Sequence, residues 1–193
     1  MVLAAAALLL PAACGRDESA PSGPPPLAGA AIGGPFALVD GQGRPFTDRN
    51  LAGRWRVMYF GYTSCPDVCP TDVRDIGAGL KRLEASDPTK AAKVTPVFVT
   101  VDPERDTPAA VRAFVANFHP RMVGLTGSRV AVDAAAKAYA VYHKAGAPQP
   151  GGGYLVDHSR QAYLMDPAGK PVALVPADQG APAVEQALEH WLS

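Results

Sequence analysis

The stretch Arg54–Val73, RWRVMYFGYTSCPDVCPTDV, carries most of the information about the fold. Its first part, Arg54 to Tyr62, is a continuous apolar run of strand type, the pattern of a parallel strand covered on both faces. From Asp72 to Glu84 the composition becomes helical, with Val73, Ile76, Leu80 and Leu83 on one face. Between strand and helix lie Cys65 and Cys69, each followed by proline. In open α/β sheets the carboxyl end of a buried strand is where ligands and reactive groups collect.

Working outward, PFALVDGQGRPF ahead of this stretch predicts two short strands around a Gly-rich hairpin turn. Downstream, Val94 to Asp102 predicts a second buried strand. In DTPAAVRAFVANF, Thr107 can cap a helix and Pro108 suits its first turn, with Val111, Phe114, Val115 and Phe118 as the apolar face. A short strand is expected over Met122–Leu125, and Ser128 caps a helix through Tyr139. The Gly/Pro segment AGAPQPGGG is expected to be a loop. Strands follow over Tyr154–Val156, Ala162–Met165 and Val172–Val175, with DPAGK as the last turn, and Glu185–Leu192 closes the chain as a helix. The order βαβ then αββα predicts an α/β protein of thioredoxin-like fold: a central mixed sheet flanked by helices, preceded by an N-terminal β-hairpin.

The charges exclude one class of function. Lys+Arg and Asp+Glu are 18 each, and no basic run appears, so the chain has no field with which to hold nucleic acid. At the N-terminus, Val2 to Leu10 is apolar and far shorter than the ~20 residues that span a bilayer. It fits the apolar core of an export signal. Followed by Ala12-Ala13-Cys14, it resembles a bacterial lipoprotein processing site with Cys14 as the lipidated residue; a plain signal or an uncleaved anchor is the alternative. If Cys14 carries lipid, the odd thiol among three cysteines is accounted for. Residues 15–35, rich in Gly, Pro, Ala and Ser, are expected to be a tether, so the division is 1–14 signal, 15–35 tether and 36–193 folded domain.

Two thiols at this spacing admit three uses. A bridge closing so small a loop constrains the unfolded chain little, so an inert disulfide explains the pair poorly. A redox dithiol is the second use, although three residues, Pro66, Asp67 and Val68, separate the sulfurs where two are usual. Asp67 adds negative charge that opposes thiolate formation, while a helix N-terminus favours it. A metal is the third, because a cation reverses the effect of Asp67. If the segment were helical, both side chains would share one face, with Cα atoms about 6 Å apart, close enough for a disulfide or for chelation.

A two-thiolate metal site needs a third ligand, and the chain has four histidines. His190 lies beside Trp191 in the terminal helix as a surface residue, His119 sits before Pro120 as a helix-end residue, and His143 falls in an exposed strand-like stretch. His158 differs: it ends the strand GYLVDHS, after a Gly-rich loop that lets the backbone move. Two thiolates and one imidazole suit Cu(I) and can accept Cu(II), whereas structural zinc normally takes a fourth protein ligand. Asp157 points to the opposite face of the strand and is a poor partner for that imidazole. In TVDPERDTP, helix capping accounts for both Asp106 and Thr107. Tyr59, Phe60 and Tyr62 are expected to pack in the core and at its rim.

Three segments, GYTSCPDVCPTDV, TVDPERDTP and VDHSRQAYLMDPAGK, together resemble the Sco/SenC family, and the likeness runs from about Phe36 to the C-terminus. The resemblance implies a thioredoxin-like domain that binds copper through Cys65, Cys69 and His158. It also implies a role in maturing the dinuclear copper site of cytochrome c oxidase subunit II. Expected partners are that subunit, other periplasmic copper chaperones, and the periplasmic side of a bacterial inner membrane through the anchor at Cys14. Some members of the family act instead as thiol-disulfide reductases, a role in which Cys65 and Cys69 would be the catalytic redox dithiol, and some are linked to redox signalling or copper homeostasis.

Overall fold

Residues 23–150 and 152–192 are described by a computed structural model. The expected export signal and Cys14 lie outside the described residues. The apolar run opens the central strand of the molecule, Trp55–Gly61, every residue of which is buried. With the hairpin strands β1 (Ala37–Asp40) and β2 (Pro45–Thr47) ahead of it, this strand is β3. It pairs in parallel with β4 (Val94–Thr100), likewise wholly buried, from Trp55–Val94 through Gly61–Thr100. β4 in turn pairs in parallel with β5 (Val123–Thr126). Helix α1 (Val68–Ser86) follows β3 and α3 (Pro108–Ala116) follows β4, the two separated by the short α2 (Pro88–Ala92). α4 (Arg129–Ala138) follows β5.

After α4 the chain makes two hairpins. The first, β6 (His143–Pro148) with β7 (Tyr154–His158), forms a small sheet of its own. The second, β8 (Ala162–Met165) with β9 (Pro171–Val175), extends the main sheet by pairing β8 antiparallel to β3. The seven strands run β2-β1-β5-β4-β3-β8-β9, parallel in the middle and antiparallel at both sides. α5 (Ala181–Trp191) packs beside α1. The mixed sheet, its flanking helices and the N-terminal hairpin agree with the sequence-based expectation.

Three local differences have physical causes. The first four residues of AGAPQPGGG, expected to be loop, belong to strand β6, which uses its backbone to pair with β7 while most of its side chains stay exposed, so it has no hydrophobic alternation to read. α2 is one short turn-and-a-half in which the Asp87 carboxylate accepts from the Lys90 N–H, too short for periodicity to register. The segment expected to be free tether is docked over its last part: the Leu27 N–H donates to Val172, the Gly33 N–H donates to Ala138, and Leu27 and Ile32 pack on the core. The packed body therefore begins ahead of Phe36, because two apolar side chains in a Gly/Pro background suffice to bind it down.

Candidate metal centre

β3 delivers the chain to the thiol loop, and Cys65 sits outside α1, not on it. Pro66 disfavours helical backbone at the residue before it, so the helix starts at Val68 with Asp67 as its N-cap. The sulfurs still converge. The Cys65 Sγ accepts the Cys69 N–H at 3.5 Å, standing where an N-cap acceptor would satisfy the first turn. Gly61 makes room beneath: a Cβ there would lie 3.0 Å from the Cys69 Sγ.

The two thiols differ. Burial opposes ionisation of Cys65, but the N–H groups of Asp67 and Cys69, the Cys69 thiol and the Tyr62 hydroxyl outweigh it, and its pKa falls below the ordinary value. Asp67 itself is exposed and contributes a backbone donor, so the expected opposition from its charge does not control Cys65. Cys69 is completely buried; burial first, and then the Cys65 sulfur, push its pKa far up.

His158 arrives from β7. Its Nε2 stands 3.0 Å from the Cys69 Sγ and its Nδ1 stands 2.9 Å from the Ser159 carbonyl oxygen. A carbonyl only accepts, so Nδ1 carries the proton and Nε2 presents its lone pair to the sulfurs. Burial holds the His158 pKa below the ordinary imidazole value, which keeps that lone pair available at neutral pH. The ring sits edge-on to Tyr62 and Tyr59, at 5.9 and 6.4 Å between centroids. Cys65, Cys69 and His158 thus bring three ligand atoms within 4.8 Å of one another. Among the described residues no other such group of His, Cys, Asp or Glu occurs. Two sulfurs and one imidazole nitrogen are a soft, low-coordinate donor set that fits copper better than structural zinc.

Behind this group lies a polar layer that sequence reasoning missed. Asp72, one turn beyond Cys69 and completely buried, accepts from the Tyr59 hydroxyl at 2.9 Å and from Arg160 at 2.8 and 3.1 Å. Arg160 follows His158 by two residues, so the ion pair ties the helix bearing Cys69 to the exit of the strand bearing His158. Only the helical spacing Cys69–Asp72 hinted at this.

TVDPERDTP corrects another expectation. Thr107 does cap α3, accepting the Ala110 N–H. Asp106 caps nothing: it accepts the Thr63 N–H at 2.9 Å, the Thr63 hydroxyl at 2.6 Å and the Thr100 hydroxyl at 2.6 Å, fixing the loop that leads to Cys65. Asp102, just beyond β4, is also completely buried and binds Arg105 and Tyr154. The remaining histidines lie outside the metal group. His119, expected as a helix-end residue, is buried, with Nδ1 accepting the Arg121 N–H and Nε2 3.3 Å from Glu84. His143 is only partly exposed: it lies directly across the hairpin from His158, with its Nε2 3.3 Å from Asp133. His190 stacks edge-on with Trp191.

Known proteins resemble the chain closely. The Arabidopsis thaliana mitochondrial protein SCO1 homolog 1 is 43% identical over 143 residues, covering 74% of this chain and 42% of that protein. The Saccharomyces cerevisiae mitochondrial protein SCO1 is 42% identical over 141 residues, covering 72% and 47%. The chain thus spans about half the length of these relatives. Two crystal or solved structures described as copper-bound superpose well. Arabidopsis thaliana ScoI has a TM-score of 0.76 at 36% identity, covering 82% of this chain and 97% of that one. Bradyrhizobium japonicum ScoI has a TM-score of 0.74 at 37% identity, covering 83% and 99%. The profile of the SCO1/SenC family matches residues 25–193, nearly all that is described here, and on that match and these identities the chain belongs to the SCO1/SenC family.

Proposed function

We propose that this protein binds one copper ion through Cys65, Cys69 and His158 and serves the assembly of cytochrome c oxidase, handing copper to the dinuclear site of subunit II. The observation that carries the reading is the convergence of two sulfurs and one lone-pair nitrogen within 4.8 Å, in a family whose similar structures include copper-bound ones. Cys65 and Cys69 would hold Cu(I) through soft thiolates, and His158 would complete the set that Cu(II) requires. The protein would work outside the cytoplasm, tethered to the membrane by lipid on Cys14 or by an uncleaved signal, with subunit II and other copper chaperones as partners. The Gly/Pro-rich residues after Cys14 support a tether of that kind.

The test is an anaerobic titration of the reduced protein with Cu(I) against a competing chelator, followed by Cu(II) absorption spectra. One copper per chain, with a sulfur-to-Cu(II) charge-transfer band that disappears when both cysteines are changed to serine, is the expected result. His158→Ala should weaken Cu(II) binding by at least about tenfold and Cu(I) binding much less. Equal binding of both ions by variant and parent would remove His158 from the ligand set.

The asymmetry of the thiols favours a second reading, a thiol-disulfide reductase. The Cys65 thiolate would attack a partner's disulfide, forming a mixed disulfide and releasing one partner thiolate. Cys69, after losing its proton, would attack Cys65, forming the internal disulfide and releasing the second. A Cys69→Ser variant should then trap a partner covalently through Cys65, while Cys65→Ser should not.

A further inference from the structure

The β6–β7 hairpin carries His158 but shares no strand pairing with the main sheet. What attaches it to the body is a set of side chains along β7, with Val156 buried in the core between its two ends, and His143 of β6, whose Nε2 lies 3.3 Å from Asp133. At one end His158 meets Cys69. At the other, four residues earlier and on the same face, the Tyr154 hydroxyl donates to the Asp102 Oδ1 at 2.7 Å. The second Asp102 oxygen is held by the Arg105 Nε. The Arg105 guanidinium carbon lies over the Tyr154 ring, 3.9 Å from its centroid, and over the Tyr62 ring at 5.5 Å. Tyr62 in turn touches both the Cys65 thiol and the His158 ring, and its hydroxyl meets the Val156 backbone. The chain reaches Tyr154 through Gly153, whose φ of 78° is left-handed backbone that glycine adopts without strain.

We propose that Tyr154, with Asp102 and Arg105, is a latch that sets how often the hairpin lifts and uncovers Cys69. Asp102 is completely buried and is fixed from below, its own N–H donating to the Thr100 hydroxyl, so it is the stationary half. Tyr154 is the moving half, beside the glycine-rich turn at the hairpin's tip. Cys69 has no exposed surface in the closed arrangement, and an incoming ligand atom or thiol reaches it only when His158 moves away. Lifting breaks the Tyr154–Asp102 hydrogen bond, the His158–Cys69 contact, the cation–π contact with Arg105 and the His143–Asp133 contact, draws Val156 out of the core, and leaves the β8–β3 pairing intact. Tyr154, Asp102 and Arg105 touch no ligand atom; they are positioning residues. The proposal deepens the copper-transfer reading, where opening is the step that admits a recipient thiol, but the opening itself needs no copper.

The test is the rate at which Cys69 of the reduced, copper-free full chain is alkylated by iodoacetamide, resolved peptide by peptide by mass spectrometry. Tyr154→Phe keeps the ring over Arg105 and deletes only the bond to the carboxylate. A hydrogen bond to a charged group of this kind corresponds to about tenfold in the opening equilibrium. Expected is a rise of about tenfold in Cys69 alkylation, with Cys65 alkylation, main-sheet amide exchange and the melting temperature close to the parent's. His158→Ala should raise Cys69 alkylation as well. An unchanged Cys69 rate in Tyr154→Phe, or a rise that Cys65 and the main sheet share, overturns the latch; so does an unchanged rate in His158→Ala, which would mean that His158 is not the cover. Release of bound Cu(I) to a chelator should accelerate in parallel. If the chain takes up no copper at all, the copper reading fails while the alkylation result still decides the latch.

Discussion

Cys69 and Cys65 show how one residue type acquires two characters from its surroundings. The backbone donors at the start of α1 reach only the first sulfur, so that thiol is the readily ionised one. The second sulfur is packed between Gly61, Tyr59 and His158 and depends on a metal or a reaction to draw off its proton. Gly61→Ala tests this packing. Its methyl would lie 3.0 Å from the Cys69 Sγ and from the Tyr59 ring and 3.2 Å from Phe98. We expect a loss of about 1–3 kcal/mol in urea unfolding, together with weaker Cu(I) binding in chelator competition, because the sulfur must move. His119 gives a prediction about acid. Burial holds its pKa below about 6.5, against the opposing pull of Glu84. On acidification through that value the unfolded chain takes up a proton that the folded chain resists, so stability is present above about pH 6.5 and is lost as pH falls. His158 acts in the same sense. The urea midpoint should therefore drop between about pH 7.5 and about pH 5.5, and it should drop less in His119→Gln. An equal drop in that variant would mean that His119 is not buried as described.

Helix α1 and strand β7 are the two arms of the centre, and what joins them is polar. Cys69 and Asp72 project from the same side of α1, and His158 and Arg160 sit at the end of β7, so one arm offers sulfur and carboxylate where the other offers imidazole and guanidinium. Arg160→Ala leaves the buried Asp72 carboxylate with the Tyr59 hydroxyl as its remaining side-chain partner. The cost falls on the buried group, and about 1–3 kcal/mol of stability should disappear in denaturant titration. Arg160→Lys should recover only part of it, since an ammonium cannot reproduce the two-pronged contact. A loss indistinguishable from zero would mean that the half-exposed arginine contributes as little as an ordinary surface pair. The same elements show why some of the architecture was legible. β3, β4 and α1 carry long apolar patterns, whereas β6 is built from glycine, proline and exposed side chains and is a strand only because β7 lies beside it.

Across the fold, the candidate ligand set closes a long path. Cys69 and His158 are separated by 89 positions and meet because β3 occupies the centre of the sheet while the β6–β7 hairpin folds over its carboxyl end. A metal gripping both ends of such a path binds the folded chain and not the unfolded one with the same geometry, so it should stabilise the whole domain. Copper at a hundredfold excess over its dissociation constant should add about 2.7 kcal/mol and raise the melting temperature, and a chelator should reverse the shift. The chain with both Cys65 and Cys69 changed to serine should show no copper-dependent shift. A shift that survives in that variant would place the metal elsewhere.

The strand–thiol–helix order, the hairpin ahead of it, the Thr107 and Ser128 caps and the selection of Cys65, Cys69 and His158 as candidates all follow from local pattern. Apolar runs, helical periodicity and side chains that cap their own backbone are written over a few consecutive residues, and the scarcity of thiols and imidazoles narrows the donors further. The partners of the buried carboxylates are not written that way. Asp106 serves Thr63 across 43 positions, Asp72 serves Arg160 across 88, and Asp102 serves Tyr154 across 52. Each aspartate is a polar residue whose neighbours are chosen by strand order and register, and burial makes those bonds obligatory only after the chain has folded. The tautomer of His158 follows the same rule: a carbonyl next to it in sequence sets its proton, but only the folded backbone where the chain leaves β7 places that carbonyl 2.9 Å from the ring.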